Sequence, residues 1–525
     1  MLTLGSCGVF LQKNGMKAFK LPQKIKDKDL NKYQYDFVYM SQLLEEGFPK
    51  LDSIFPKGER EKQKSFFLKQ LNHPNTTNKD FLLQAQKYLG NVHNQHTNVN
   101  LKSTFEYYYP FKVFNSYGDL YLRNIERTQD SLLIGKKIIS INGFPIKEVQ
   151  KRLRQFSSSE NEIGQLADLR WYYYYYKVDY LKEIKVISGH KDRLVIKFED
   201  GTSAPLNAVN GSDWDLYSIK ERPHPLTRSR KDIYSYHVFP EANFGYMQYL
   251  ACYDRDEVLQ GIGAYVKPWL QPVARAYVKR QFKKKKPSKR VAPYFNQKHP
   301  IFKDFVWEMV DSLNNSGVEH LIIDLRRNSG GQLNLGIELL YFLTDRKDVK
   351  GFKEYTYTSR MHQKYFPGDY REFMENQDKV PEYQLVLRSD GQDLFTKVKD
   401  SQSIFYIPPN RPIFKGKVYV LANYQTGSAA AMLATLFQDN QLATIIGTHV
   451  GNNPTGPTTF TPMKLPKTKA YFGMASSYQI RADESKGLLL EPDYWVEYTI
   501  DDLAKGRDPF LQKAMELIKQ SGAQK

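Results

Sequence analysis

His320-Leu321-Ile322-Ile323-Asp324-Leu325-Arg326-Arg327-Asn328-Ser329-Gly330-Gly331 is the stretch from which the fold can be read. It begins as a short apolar run, the pattern of a strand covered on both faces of a parallel sheet. Before it, Phe302, Phe305, Val306 and Met309 recur at helical spacing between Ile301 and Leu313. After it, Val418-Tyr419-Val420-Leu421 and Thr444-Ile445-Ile446-Gly447 repeat the buried-strand pattern around a helix that starts near Ser428. That order predicts an α/β unit with a parallel core. Two chain reversals in it carry chemistry. Gly330 and Gly331 permit backbone N–H groups to turn toward a bound group, a candidate oxyanion nest. In Thr426-Gly427-Ser428-Ala429-Ala430-Ala431-Met432-Leu433-Ala434 the serine stands where loop becomes alanine-rich helix, beside unpaired N–H donors and the positive end of the helix dipole. Taken alone, Ser428 reads first as a helix N-cap, the usual task of serine there.

Toward the N-terminus, Tyr35 to Met40, Leu43-Leu44, Phe66-Phe67-Leu68 and Leu71 follow helical spacing, so the first hundred residues are expected to be helical. Asp119 to Ile125 reads as a strand. Leu133 to Ile146 reads as strand, turn and the start of a helix near Lys147, with Asn142-Gly143 suited to a tight turn. This stretch resembles the core of a PDZ-like domain, a fold that binds peptides by strand addition. Tyr172 to Tyr176 either pack an interface or line a groove, packing being the plainer reading. Arg193 to Phe198 with Asp200-Gly201 reads as a strand and turn that close this unit. The basic run from Arg275 to Arg290, centred on Lys283-Lys284-Lys285-Lys286-Pro287, reads as an extended surface loop. Aromatic interleaving there is limited to Tyr277 and Phe282, so a specific nucleic-acid stripe is not expected.

Read together, Ile322 to Gly331, Thr426-Gly427-Ser428-Ala429, Gly447 and Pro492-Asp493 resemble the tail-specific (C-terminal processing) and tricorn-core serine protease family. The resemblance implies an α/β multidomain protein. Its parts would be an N-terminal helical unit (1–104), a PDZ-like β-rich domain (105–205) and a C-terminal α/β protease core of crotonase-like, ClpP-type architecture (206–525), with a basic insertion near 275–291. It also implies Ser428 as nucleophile, with Gly330, Gly331 and Ala429 around the oxyanion. A serine hydroxyl needs an adjacent base. The tail-specific branch takes a lysine in a Gly-Lys-Gly context, but this chain reads Gly447-Thr448-His449-Val450-Gly451-Asn452-Asn453. That departure favours the tricorn-like branch, whose base is a histidine from the helical unit. Asn94-Gln95-His96-Thr97 is similar to its Asp-x-His-Thr element, with asparagine for aspartate. His96 is the candidate base, with His93 and His449 as rivals, and an imidazole titrating near ~6.5 suits proton exchange at neutrality. Glu484 is the candidate supporting carboxylate, in competition with Asp483 and Glu491.

Composition bounds the rest. The chain has 525 residues, 41% hydrophobic and 25% charged, ample for several cores. Two cysteines, Cys7 and Cys252, exclude a disulfide framework and offer no metal-site spacing, and no cofactor or metal is expected. The formal charge of +19 favours anionic partners, an acidic peptide or an anionic membrane surface among them. Leu4-Gly5-Ser6-Cys7 resembles a lipoprotein cleavage site, implying a cell-envelope or periplasmic location with a lipid anchor at Cys7; the alternative is an ordinary N-terminus and a cytoplasmic protein. The expected activity is hydrolysis of polypeptides. The competing reading, prompted by the absent lysine and by Asn94, is a catalytically inactive peptide-binding envelope scaffold on the same fold.

Overall fold

A computed structural model of the chain describes residues 19–21, 25, 29–101, 105–171, 174–211, 214–220, 226, 232–265, 268–282, 298–376 and 379–523. The segment with Cys7, the residues Tyr172 and Tyr173, and the Lys283 to Pro287 run lie outside these. The decisive stretch forms strand His320–Asp324 of a six-stranded sheet. The strand order is Tyr234–Phe239, Phe244–Tyr249, His320–Asp324, Lys417–Ala422, Thr444–Gly447 and Tyr494–Trp495. Only the first pair is antiparallel. All five residues of His320–Asp324 are buried because alternate side chains enter different cores. Leu321 and Ile323 pack with helices Phe302–Asn315, Leu333–Leu343 and Ala429–Asp439, whereas Ile322 meets Tyr246, Tyr419 and Phe510 of the final helix Pro509–Ala523. Each such aliphatic side chain contributes about 2 kcal/mol through burial. Sheathing on both faces is what the continuous apolar run anticipates.

At the end of this strand Arg326 is buried between two carboxylates, 2.6 Å from Asp324 and 2.7 Å from Asp508. Burial pushes the Asp324 carboxyl upward, but the Arg326 charge overrides it and the net shift is downward. The pair of contacts fixes the strand end to the start of the last helix.

The first hundred residues form helices Lys32–Gly47, Lys57–Gln70 and Asn78–Gly90, joined by a four-residue helix, Leu51–Ile54. The chain then enters a second sheet. Strand Asn98–Asn100 pairs antiparallel with Tyr471–Ile480, Val99 opposite Phe472. Phe37, Met40 and Tyr88 of the helices share a core with Met361, Met463 and Phe472, so the front of the chain is packed and hydrogen-bonded onto its last third. Asp36 reinforces the union by accepting hydrogen bonds from the backbone N–H groups of Lys467 and Thr468.

The β-rich unit between them holds a seven-stranded sheet, with Asn142 (φ 47°) and Gly143 (φ 80°) in the expected turn and helix Ile146–Leu153 after it. Leu216–Ser218 pairs with Asp119–Glu126, so this sheet continues past residue 205; its last strands are too short to show alternation in the sequence. Tyr174, Tyr175 and Tyr176 lie in its core, which accords with packing. Part of the basic stretch departs from the expected loop. Gln271–Phe282 is helical, because Ala274 and Val278 pack on Ile262 and leave Val273 and Tyr277 outside. Among the described residues no helix is long and apolar enough to cross a membrane.

Candidate active site

Parallel strands end at the same edge of a sheet, so Asp324 and Ala422 deliver their following loops to one place. Asn328, Ser329, Gly330 and Gly331 meet Thr426, Gly427 and Ser428 there. Gly427 N–H donates to the Asn328 carbonyl (2.9 Å), and the Thr426 hydroxyl donates to the Leu325 carbonyl (2.9 Å). Ser428 itself sits at φ 49°, ψ −127°, a conformation that a residue with a Cβ adopts only when its surroundings impose it. Its side chain makes no cap hydrogen bond to the helix. The N-cap reading of Ser428 is therefore not realised, and the hydroxyl is left for something else. The serine backbone N–H donates to Asn452 Oδ1 (2.9 Å), in the segment where the tail-specific branch carries its lysine.

A Cβ on Gly330 would lie 2.7 Å from Ser428 Cβ and 2.8 Å from the Ala429 nitrogen, so only glycine lets the two loops touch. The Gly330 amide is nevertheless spent: it donates to Asn328 Oδ1 (2.9 Å), which corrects its assignment as an oxyanion donor. Cys252 binds on either side of Gly331, giving its N–H to the Gly330 carbonyl (3.0 Å) and accepting from Gln332 N–H (2.9 Å). The amides of Gly331 and Ala429 have no acceptor among the described residues, and the second opens the helix Ala429–Asp439. These two amides, not three, are left unspent, and Gly331 lines the same cavity as Ser428.

His96 lies in the turn between helix Asn78–Gly90 and strand Asn98–Asn100, and the pairing of that strand with Tyr471–Ile480 carries it across the molecule. Its Nε2 is 3.3 Å from Ser428 Oγ. The Nδ1 atom is buried and has no protein partner. Burial lowers the ring's pKa to about 4, so it is neutral and able to accept a proton at pH 7. Asn94, which replaces an aspartate of the resembling element, is a scaffold: it accepts from Thr97 Oγ1 (3.1 Å) and donates to the Pro457 carbonyl (2.8 Å) and Glu160 (3.2 Å).

The other candidates are elsewhere. Glu484 is exposed and paired with Lys353, the outcome of lying on a surface loop, and it makes no hydrogen bond to His96 or Ser428. Asp483 accepts from Ser485 and is likewise outside the site. His93 is exposed. His449 is held by Tyr117 Oη at Nδ1 (2.6 Å), and its Nε2 lies 2.7 Å from Glu491 without making a hydrogen bond to it, which places Glu491 beside His449 instead. A carboxyl that belongs to no recognisable motif, Glu160, accepts from Gln95 N–H (3.3 Å) beside His96; burial raises its pKa to about 8, so it is protonated near neutrality. Its neighbours Ser157-Ser158-Ser159 offered no catalytic pattern. Among the described residues no cluster of His, Cys, Asp and Glu could hold a metal.

Residues 294–487 match the model of peptidase family S41. No curated protein matches the sequence significantly. Among solved structures, mature CPAF complexed with lactacystin aligns at a TM-score of 0.57 with 16% identity, covering 93% of this chain and 98% of that one. Mature CPAF alone gives the same score and identity over 93% and 97%. These likenesses establish a shared fold. The photosystem II D1 C-terminal processing protease aligns over 91% of this chain and 99% of that one, at 11% identity and a TM-score of 0.37, too distant to carry an argument.

Proposed function

We propose that the chain, whose residues 294–487 match the model of peptidase family S41, is a serine-type peptidase that hydrolyses polypeptides with Ser428 as nucleophile and His96 as base. The observation that carries this reading is the 3.3 Å approach of His96 Nε2 to Ser428 Oγ, made by residues 332 positions apart. Ser428 Oγ attacks the scissile carbonyl while its proton passes to His96 Nε2. The carbonyl oxygen becomes an oxyanion between the N–H groups of Gly331 and Ala429. Imidazolium then gives the proton to the departing amine, leaving an acyl ester on Ser428. Water, deprotonated by the same Nε2, cleaves the ester and restores both side chains. The low pKa of His96 favours the neutral, receptive form before attack.

The β-rich unit, in this reading, is PDZ-like and presents peptide to the cleft. Its Tyr117 turn reaches His449, three residues before the asparagine that holds the Ser428 amide. The envelope location rests only on the Leu4 to Cys7 tetrad, and mass spectrometry of the mature N-terminus in its own host tests it.

A fluorophosphonate probe on the intact protein tests the mechanism. Labelling at Ser428, abolished in Ser428→Ala and strongly slowed in His96→Ala, is the expected result. Folded protein that neither reacts at Ser428 nor cleaves any member of a peptide pool is the behaviour of the inactive scaffold instead.

A further inference from the structure

Ser428 and His96 open into a cavity of about 1100 Å³ that runs between the helical unit, the β-rich unit and the core. Its walls are rich in aromatic and aliphatic side chains. Among the described residues its charged members are unbalanced: Arg170, Lys177, Arg327 and Lys464 line it against a single carboxyl, Asp168. Asp168 is already committed, accepting from Ser157 Oγ (2.6 Å) and Ser159 Oγ (2.8 Å), and burial raises its pKa.

Three of the four cations have no ion-pair partner among the described residues. Arg170 spends one N–H on the hydroxyl of Tyr424 (2.7 Å). The Lys177 ammonium lies over the rings of Phe105 (4.6 Å) and Tyr180 (5.4 Å), and burial lowers its pKa to about 8. Lys464, half-buried at the end of strand Gly456–Lys464, stands opposite Tyr471. Withdrawing a cation from water is costly unless an anion accompanies it. Three cations sharing one partly enclosed space without a counter-ion among the described residues therefore mark a place where the anion arrives with the ligand.

We propose that this cleft selects polypeptide segments bearing acidic side chains, whose carboxylates pair with Arg170, Lys177 and Lys464 as the scissile bond reaches Ser428. The inference rests on the peptidase reading for its consequence, selective cleavage, but its binding component stands independently. Carboxylates on the substrate supply the counter-ions that these cations lack, and the overall charge of +19 draws such chains in from solution.

The test uses full-length Ser428→Ala protein and fluorescent peptides that differ only in three central residues, Glu or Gln, each with a free or an amidated C-terminus. Fluorescence anisotropy should show the Glu peptide bound at least about tenfold more tightly, a preference that weakens with salt and is unchanged by amidation. Lys464→Gln and Lys177→Gln, introduced separately, should each shrink the ratio several-fold while leaving affinity for the Gln peptide as it was. In protein with Ser428 intact, the kcat/KM ratio should follow the binding ratio. Equal binding of the two peptides overturns the proposal, as does a ratio unmoved in both lysine variants, or a preference that disappears on amidation and so belongs to the chain terminus. Stronger competition by a single-stranded oligonucleotide than by the Glu peptide also overturns it. Glu-selective binding without any turnover in the Ser428 protein would remove the peptidase reading and leave the charge selection standing. Unselective turnover would do the reverse.

Discussion

Acid should cost this protein stability through one imidazole, and the size of the effect follows from where that ring sits. In the folded chain burial brings His96 from its ordinary 6.5 down to about 4. Above pH 6.5 both folded and unfolded forms are neutral and the residue is silent. Between those two values the unfolded chain takes up a proton that the native ring refuses, so stability declines as pH falls and the loss saturates below about 4. The difference between those two values, at about 1.4 kcal/mol for each pH unit, corresponds to roughly 3.5 kcal/mol at the acid limit and about 3 kcal/mol at pH 4, where the native ring is half protonated. His96→Gln removes the titration and keeps a polar side chain in place. Urea unfolding of parent and variant at pH 7 and at pH 4 isolates the term, since every other titrating group is shared. The difference in unfolding free energy should move about 3 kcal/mol in the variant's favour on acidification. The same neutrality predicts a kcat/KM profile whose acid limb falls near pH 4, well below the range of a solvent-exposed histidine. A stability difference that is flat between the two pH values, together with an acid limb near ~6.5, would refute the reasoning.

Four further outcomes are expected. Ser428→Gly should be inactive yet more stable by about 1 kcal/mol in denaturant titrations, because glycine adopts the imposed backbone angles without strain; equal or lower stability would contradict a strained serine. Gly331→Ala should lower kcat by about 100-fold to 1000-fold, since a Cβ there would lie 2.3 Å from the Cys252 carbonyl oxygen and must displace the amide; unchanged steady-state kinetics would remove Gly331 from the oxyanion site. Asn452→Ala unties the Ser428 N–H and should cost about tenfold in kcat/KM with the melting temperature little altered. Arg326→Met strands the carboxylates of Asp324 and Asp508 in the interior and should destabilise the fold by about 3–5 kcal/mol, seen as a lower urea midpoint.

What could be read in the one-dimensional pattern was whatever local chemistry writes into neighbouring residues. The run His320 to Leu325 is apolar without alternation because both faces are covered, and the loops after it carry glycines because backbone meets backbone there. Ser428 and His96, which the fold brings within 3.3 Å of each other, each lie inside a short motif. Tertiary placement was not legible. Whether Gly330 or Gly331 offers its amide depends on where the Asn328 side chain bends, and nothing in Asn328-Ser329-Gly330-Gly331 states that. Glu484 looked suitable by its distance along the chain, yet its loop leads to the surface and to Lys353. Glu160 and Asn452 lie in segments that are unremarkable until the fold sets them beside His96 and Ser428. The basic helix Gln271–Phe282 was obscured by its charges, which lie outside a small apolar contact made by Ala274 and Val278.

The strand Asn98–Asn100 is three residues long and reaches across nearly four hundred positions to its partner. On the proposed mechanism, the proton acceptor is synthesised well before the group it activates, 332 positions later. A nascent polypeptide is thus harmless until that later part has been made, and hydrolytic power switches on only when the earlier segment zips against it. Severing the backbone just before or after that short strand should silence the enzyme while sparing most of its tertiary structure.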